Sequence, residues 1–394
     1  MGSRTTRCVF DLGSELGLAH NHQTIRNLLA LSNTKSIPVF DTQKRTISST
    51  LAREGSCYGG SADKLALLPS LQQPQPDLVL LIGARTGMFL GGRSDAIIPP
   101  HEKCKLVHVD IDGSEIGRTL PVDLGVVSDA RHFVKAVNDH IGGASLSNID
   151  KHWVKQVIDI QKMPSPYESH PETTPSGQMH PYHALNQLFA SLPKDPILIL
   201  DGGECALWAS ESAHLCSPSS ILKSTGSLGF LGNGFGYALG AAIAAPEHKV
   251  INIQGDGSSG FHFMELDAYA RHGVDVLTVV VNNHCWGMSF NGQDLVYGDA
   301  DPARPVSALS SGTGYDAVSG GLGNRSVKVT TVEDVQVAIR DLVKDGPGAA
   351  CVEVVVDRKP VHPVTEAMVG RTEDENTVVV PYYDNIPWAY YKSN

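Results

Sequence analysis

This chain has little of what marks a secreted, membrane-spanning or nucleic-acid-binding protein. Its seven cysteines are scattered through 394 residues with no CxxC pair. That excludes a disulfide framework or a cysteine-rich zinc site and favours a reducing compartment, so the expected location is cytoplasmic. No uninterrupted apolar run is long enough to span a bilayer, so no membrane partner is expected. Basic residues are in deficit: 31 Lys and Arg stand against 42 Asp and Glu, a formal net charge of -11, which argues against a nucleic-acid surface. No internal repeat, secretory leader or C-terminal peroxisomal tripeptide is read. Met1-Gly2-Ser3-Arg4-Thr5-Thr6 fits a short myristoylation pattern, but no basic cluster beside it supplies the second anchor that stable attachment needs.

What is present reads as an ordinary globular protein, 41% hydrophobic and 19% charged, long enough for two or three domains. In the first block Cys8-Val9-Phe10 predicts a short strand leading into Gly13 and Gly17. His22 to Leu31 predicts a helix and Ile37-Pro38-Val39-Phe40 the next strand. The unbroken apolar runs at 78–83 and 106–112 predict buried parallel strands. A polar stretch over 148–177, with Pro164, Pro166, Pro171 and Pro175, predicts a linker with a short helix near its start. A second block from Met179 carries the strand 197–200, a Gly-rich run over 226–240 with a helix from Tyr237 to Ala245, and a late strand over 351–356. The tail from Thr377 holds Tyr382, Tyr383, Trp388, Tyr390 and Tyr391, which suit docking on the domain or covering a site. Strands alternating with helices predict an α/β fold of two Rossmann-like domains with parallel sheets.

The most specific feature is Gly255-Asp256-Gly257-Ser258 followed, after a helix-sized gap, by Asn282-Asn283. The segment predicts strand, Gly-rich turn, helix from about Phe261 to His272, and strand. Such a crossover makes the two strands parallel neighbours. Asp256 and Asn283 then lie at carboxyl ends of strands, where open α/β sheets bind ligands. A carboxylate and an amide oxygen suit a hard cation such as Mg²⁺, and free backbone amides at a helix start suit phosphate. The alternative is two common turns side by side; the joint match of strand, spacing and second strand outweighs it.

That pattern resembles the signature of the thiamine diphosphate enzymes. The resemblance implies that Asp256, Asn283 and the backbone carbonyl of Cys285 bind Mg²⁺, with Gly255, Gly257 and Ser258 at the diphosphate. Asp201-Gly202-Gly203-Glu204-Cys205 follows a strand directly, as a plain strand-to-helix turn also would; by resemblance Gly203, Glu204 and Cys205 contact the diphosphate. In the run from Gly226-Ser227-Leu228 to Gly236, Leu231 takes the place of the apolar residue that wedges between the cofactor's rings. Met288 and Trp286 follow the second Asn, where cofactor and substrate meet the protein, although both residue types are more often core. His284 could move protons near neutral pH, but a supporting or structural role is the better reading. His180 and His183 are three apart, but no further ligand is spaced for a metal.

The first block, through Ile82-Gly83-Ala84-Arg85-Thr86, Val107 to Asp112 and Glu115-Ile116-Gly117, resembles the middle domain of the group containing acetolactate synthase, oxalyl-CoA decarboxylase and 2-hydroxyacyl-CoA lyase. In some members that domain holds FAD or an ADP-like nucleotide. The implied organisation is a middle domain over 1–147, a linker over 148–178 and a diphosphate-binding domain with an aromatic tail over 179–394. The implied chemistry forms or cleaves a bond next to a carbonyl, on small 2-oxo acids or acyl-CoA relatives. Gly292 stands where acetolactate synthases carry an aromatic, and Gly234 to Gly240 is closer to oxalyl-CoA decarboxylase. The family's pyrimidine-binding domain, which carries the Glu that activates the cofactor, has no counterpart motif here, so the catalytic Glu is expected outside this chain. The expectation is a fragment, a homo-oligomer or split-enzyme subunit completed by a partner with that domain, or a non-catalytic paralogue. A nucleotide-dependent oxidoreductase built on the first block is the weaker alternative: the block lacks a clean G-x-G-x-x-G.

Overall fold

The computed structural model describes residues 6–12, 22–42, 55–87, 90–92, 94–146, 148–160, 162–223, 229–297, 306–344, 346–368, 377–378 and 386–387. Gly13, Gly17, Gly226 to Leu228 and the five aromatic residues of the tail, all singled out above, lie outside them. Contacts divide the chain into two compact units, Met1–Met163 with Glu366–Asn394, and Pro164–Thr365. Among the described residues no helix is long and apolar enough to cross a membrane.

In the first unit six strands form one parallel sheet: β1 (Cys8–Leu12), β2 (Val39–Asp41), β3 (Tyr58–Ser61), β4 (Leu78–Ile82), β5 (Lys105–Asp110) and β6 (Leu124–Val127), in the order β3-β2-β1-β4-β5-β6. The expected runs supply β1, β2, β4 and β5. The helix His22–Lys35 runs past the expected Leu31. Its buried Lys35 donates through Nζ to the carbonyls of Gly142 and Ala144, which satisfies the charge that the longer helix carries inward.

The start of the polar stretch is a helix, Lys151–Ile160, and it buries Trp153, Val154, Val157 and Ile160 in this unit's core. The 3.6-residue spacing of those side chains gives it one apolar face, and Trp153 Nε1 donates to the carbonyl of Pro74 at 2.6 Å. Beyond Pro164 the stretch is held within the second unit. The Tyr167 hydroxyl donates to the Val361 carbonyl at 2.8 Å, and the Ser176 hydroxyl donates to Asp357 at 2.8 Å.

The second unit is again one parallel six-stranded sheet: β7 (Ile197–Leu200), β8 (Ser220–Lys223), β9 (Val250–Gly255), β10 (Val276–Asn282), β11 (Arg325–Val329) and β12 (Ala350–Val355), ordered β11-β12-β10-β9-β7-β8. Both faces are covered. Leu198, Leu200, Ile251, Ile253, Val279 and Val281 face one apolar layer; Ile197, Ile199, Val250, Val276 and Val280 face the other. Double-sided burial explains why these strands read as unbroken apolar runs. From β7 the chain moves outward to β8; from β9 it moves the other way to β10. The winding therefore reverses between β7 and β9, and the crevice at their carboxyl ends is where such sheets bind ligands.

Candidate functional site

Each strand that ends at this crevice hands over to a turn rich in Gly, Asp or Asn. After β7, Gly202 takes φ +112°, and a Cβ there would meet the backbone nitrogen of Gly255 at 3.3 Å, so the turns after β7 and β9 touch. This left-handed close approach suits only glycine. Gly255 pairs in register with Val281 of β10, so Asp256 and Asn283 follow the ends of neighbouring strands. The helix Asp256–His262 begins at the aspartate itself, earlier than the sequence indicates, because its first turn is glycine and serine rather than a helix-forming run.

Asp256 is 3% exposed. Its Oδ1 accepts the Gly257 amide at 2.9 Å, while the equally buried Oδ2 has no hydrogen-bond partner. Burial pushes its carboxyl up to about 7, against the opposing pull of the Gly257 amide, its hydrogen-bond donor. A buried carboxyl with an orphaned oxygen fits a cation, which would favour its ionised form. Among the described residues no three His, Cys, Asp or Glu side chains cluster with metal-ligating geometry, so a cation here would take amide and carbonyl oxygens besides Asp256, a donor set that suits hard cations such as Mg²⁺ and Ca²⁺. Burial, followed by the charge of Asp256, pushes the Cys285 thiol up to about 12, and burial raises that of Cys205 also. In the metal-free fold both thiols are therefore neutral near pH 7.

The loop after β10 is built from two Asx turns. Asn282 Oδ1 accepts the His284 amide and Asn283 Oδ1 accepts the Cys285 amide, each at 3.1 Å. Between them His284 takes φ +58°. Beyond it the strand-like pair Cys285 and Ala308 ties the loop down through Trp286 N to Ser307 O at 2.8 Å and Leu309 N to His284 O at 2.8 Å.

The sequence-derived residues converge, with differences in what their side chains do. Met288 lies over Gly203, whose Cβ position falls 2.6 Å from Met288 Sδ, and the Trp286 ring covers Gly257. The Ser258 hydroxyl is turned inward, donating to Gln254 Oε1 or the Gly255 carbonyl, each 2.9 Å away, which leaves only its backbone for a ligand. The Glu204 carboxylate likewise faces away: it accepts the His362 amide and, at 2.9 Å, the Thr365 hydroxyl. Leu231 is half-buried beside Gly232, which packs on Ser258 and Phe261. Among the described residues the histidine pair gathers no further metal ligand. His180 caps the helix Pro181–Ser191 by accepting the Tyr182 amide at 3.1 Å, and His183 Nε2 lies 2.8 Å from the His170 carbonyl.

Three residues that the sequence left unassigned shape the site. Asp201, fully buried, accepts the amides of Gly232 at 3.2 Å and Gly234 at 2.7 Å, and so fixes the turn that carries Leu231. The Tyr315 hydroxyl donates to the Asp256 carbonyl at 3.1 Å. Glu353, 0% exposed on β12, accepts from Asn282 Nδ2 at 2.8 Å. A charge inside an apolar strand run was its one sequence signal, since such a charge is buried only when paired.

Two family descriptions match this architecture. "Thiamine pyrophosphate enzyme, C-terminal TPP binding domain" covers residues 201–354, and "Thiamine pyrophosphate enzyme, central domain" covers 13–137. Among curated relatives, "Probable acetolactate synthase" of Mycobacterium bovis is 31% identical over 211 residues, 54% of this chain and 38% of that protein. "Probable acetolactate synthase large subunit" of Methanococcus aeolicus is 30% identical over 237 residues, 57% of this chain and 38% of the relative. "Acetolactate synthase isozyme 1 large subunit" of Escherichia coli is 24% identical over 303 residues, 76% of this chain and 50% of the relative. The chain thus spans at most about half the length of these relatives. With one family description over the first sheet and the other over the strand-end crevice, the chain belongs to the thiamine pyrophosphate enzymes, as a central domain followed by a C-terminal TPP-binding domain.

Proposed function

We propose that the second unit anchors the diphosphate end of thiamine diphosphate through Mg²⁺, in a protein of the decarboxylase and carboligase lineage. The observation that carries this is the unpartnered, buried Asp256 oxygen at the point where the sheet reverses its winding. Asp256, Asn283 and the Cys285 carbonyl would hold the metal. An amide oxygen has two lone pairs, so Asn283 Oδ1 can accept the Cys285 amide and still face a cation. The backbones of Gly203, Glu204, Cys205, Gly255, Gly257 and Ser258 would meet the diphosphate, Leu231 would separate the rings, and Met288 would cover the cofactor from the Gly203 side. When bound, the cofactor supplies a carbanion nucleophile and electron sink for chemistry next to a carbonyl. Small 2-oxo acids are the proposed substrate class, with acyl-CoA relatives second.

A second reading concerns completeness. The carboxylates of Glu204 and Glu353, on elements that border this loop cluster, are engaged within the fold. We therefore assign the carboxylate that activates the aminopyrimidine to a separate polypeptide segment, supplied by a partner chain or a second copy.

Calorimetry with thiamine diphosphate and Mg²⁺ tests the anchoring site. Wild type should bind only with the metal present, and Asp256→Ala should lose at least about tenfold in affinity, the scale of one lost charged contact. Equal binding by both proteins would refute the assignment.

A further inference from the structure

Glu353 stands two residues before the end of the adjoining strand β12, yet its carboxylate reaches the start of the loop that carries Asn283. Its Oε1 accepts from Asn282 Nδ2 at 2.8 Å, and Lys328 Nζ lies 3.0 Å from the same oxygen. Its Oε2 accepts the Asp316 amide at 3.2 Å. Both side chains of the central pair are sealed from solvent, Glu353 at 0% and Asn282 at 1% exposed. The other end of the Asn282 amide, Oδ1, accepts the His284 amide, and His284 is held at a positive φ that a non-glycine residue rarely adopts. A continuous chain of contacts therefore runs from Glu353 through Asn282 to the backbone of His284. The groups that flank His284 are the Asn283 side chain and the Cys285 carbonyl.

We infer that Glu353 is a positioning residue for the metal: it fixes the amide plane of Asn282, which holds the loop turned so that Asn283 and the Cys285 carbonyl face Asp256. The inference rests on the Mg²⁺ site proposed above. Without the carboxylate, Asn282 has no acceptor for Nδ2 inside a closed core, and its side chain must rotate or take in water. Either change frees the His284 amide and relaxes the left-handed residue. The loop then opens without any change to Asp256.

The test is the Mg²⁺ concentration that half-saturates thiamine diphosphate binding, followed by calorimetry or Trp286 fluorescence, with the ligand-free thermal midpoint measured alongside. Glu353→Leu and, from the other side of the contact, Asn282→Ala should each raise that concentration about tenfold or more, the usual scale for partners that orient a metal ligand. Glu353→Gln keeps an oxygen for Asn282 and should return the value close to wild type. Val335→Ala, a core truncation in the same unit, should lower the thermal midpoint and leave the Mg²⁺ requirement unchanged. If Asp256→Ala loses the Mg²⁺ dependence while Glu353→Leu and Asn282→Ala keep the wild-type requirement, the site stands and the positioning role is overturned. A shift in Val335→Ala equal to that in Glu353→Leu also overturns it. Wild-type binding indifferent to Mg²⁺, or unaltered in Asp256→Ala, removes the site and the inference together.

Discussion

At the scale of single residues, the site is a balance between burial and charge. Asp256 has its folded pKa raised from the ordinary 3.8 to about 7. The folded state therefore holds this proton more tightly than the unfolded chain does. The resulting stability is fully present below pH 3.8 and is lost as pH rises through 7. Metal-free wild type should accordingly lose thermal stability between pH 6 and pH 8 relative to Asp256→Asn. Added Mg²⁺ should raise the wild-type midpoint more at pH 8 than at pH 6, because only the ionised carboxylate attracts it. Thermal scans at the two pH values, with and without Mg²⁺, check both; a midpoint difference between the two proteins that does not change with pH would refute the argument.

Gly234 gives a second residue-scale prediction. A Cβ there would collide with Gln254 Nε2 and lie 3.0 Å from both Asn252 Oδ1 and Asp201 Cβ. These are buried, hydrogen-bonded groups with little room to retreat. Gly234→Ala should cost about 1–3 kcal/mol, the usual range for overpacking, read as a lower urea midpoint.

The placing of Asp256 and Asn283 at the ends of neighbouring strands was legible in the sequence because their spacing and flanking apolar runs agree. Asp201 and Glu353 were not, since their roles depend on partners dozens of residues away. Nor does sequence show that Ser258 and Glu204 turn their polar atoms inward: a hydroxyl or carboxylate at a strand end reads the same whether it faces a ligand or its own backbone.

At the scale of elements, the doubly buried strands were the easiest to find. β9 and β10 present unbroken apolar runs, and the crossover between them fixes their neighbourhood. β3 was not legible, because Tyr58-Gly59-Gly60-Ser61 carries two glycines that no strand preference favours. The helix Lys151–Ile160 is the other case. Its surroundings are polar and proline-rich, yet Trp153 is 1% exposed in the first unit's core. Trp153→Ala should destabilise that unit by about 3–5 kcal/mol, the range for losing a large buried aromatic. A fragment ending at residue 147 should unfold at lower urea than one ending at residue 163. Equal midpoints for the two fragments would show that the helix adds nothing to the core.

At the scale of the whole molecule, binding and turnover separate. The second unit has a crevice at its sheet reversal, a buried carboxyl with one unpartnered oxygen and three glycine-rich turns, the parts that the proposed grip on a metal and a diphosphate needs. The proposed chemistry asks for more: a carboxylate that moves a proton at the far end of the cofactor. Glu204 is committed to His362 and Thr365, and Glu353 to Asn282 and Lys328. Releasing either would leave buried donors unpaired. The 394 residues alone, given thiamine diphosphate, Mg²⁺ and pyruvate, should bind cofactor and show little or no carbon dioxide release. A polypeptide presenting a carboxylate to the aminopyrimidine should raise that rate by about 10²–10⁴-fold, the contribution expected of one positioned proton-transfer group. The gain should vanish when that carboxylate is changed to an amide, and it should require Asp256. Rapid turnover by the single chain would show instead that a carboxylate of its own reaches the ring.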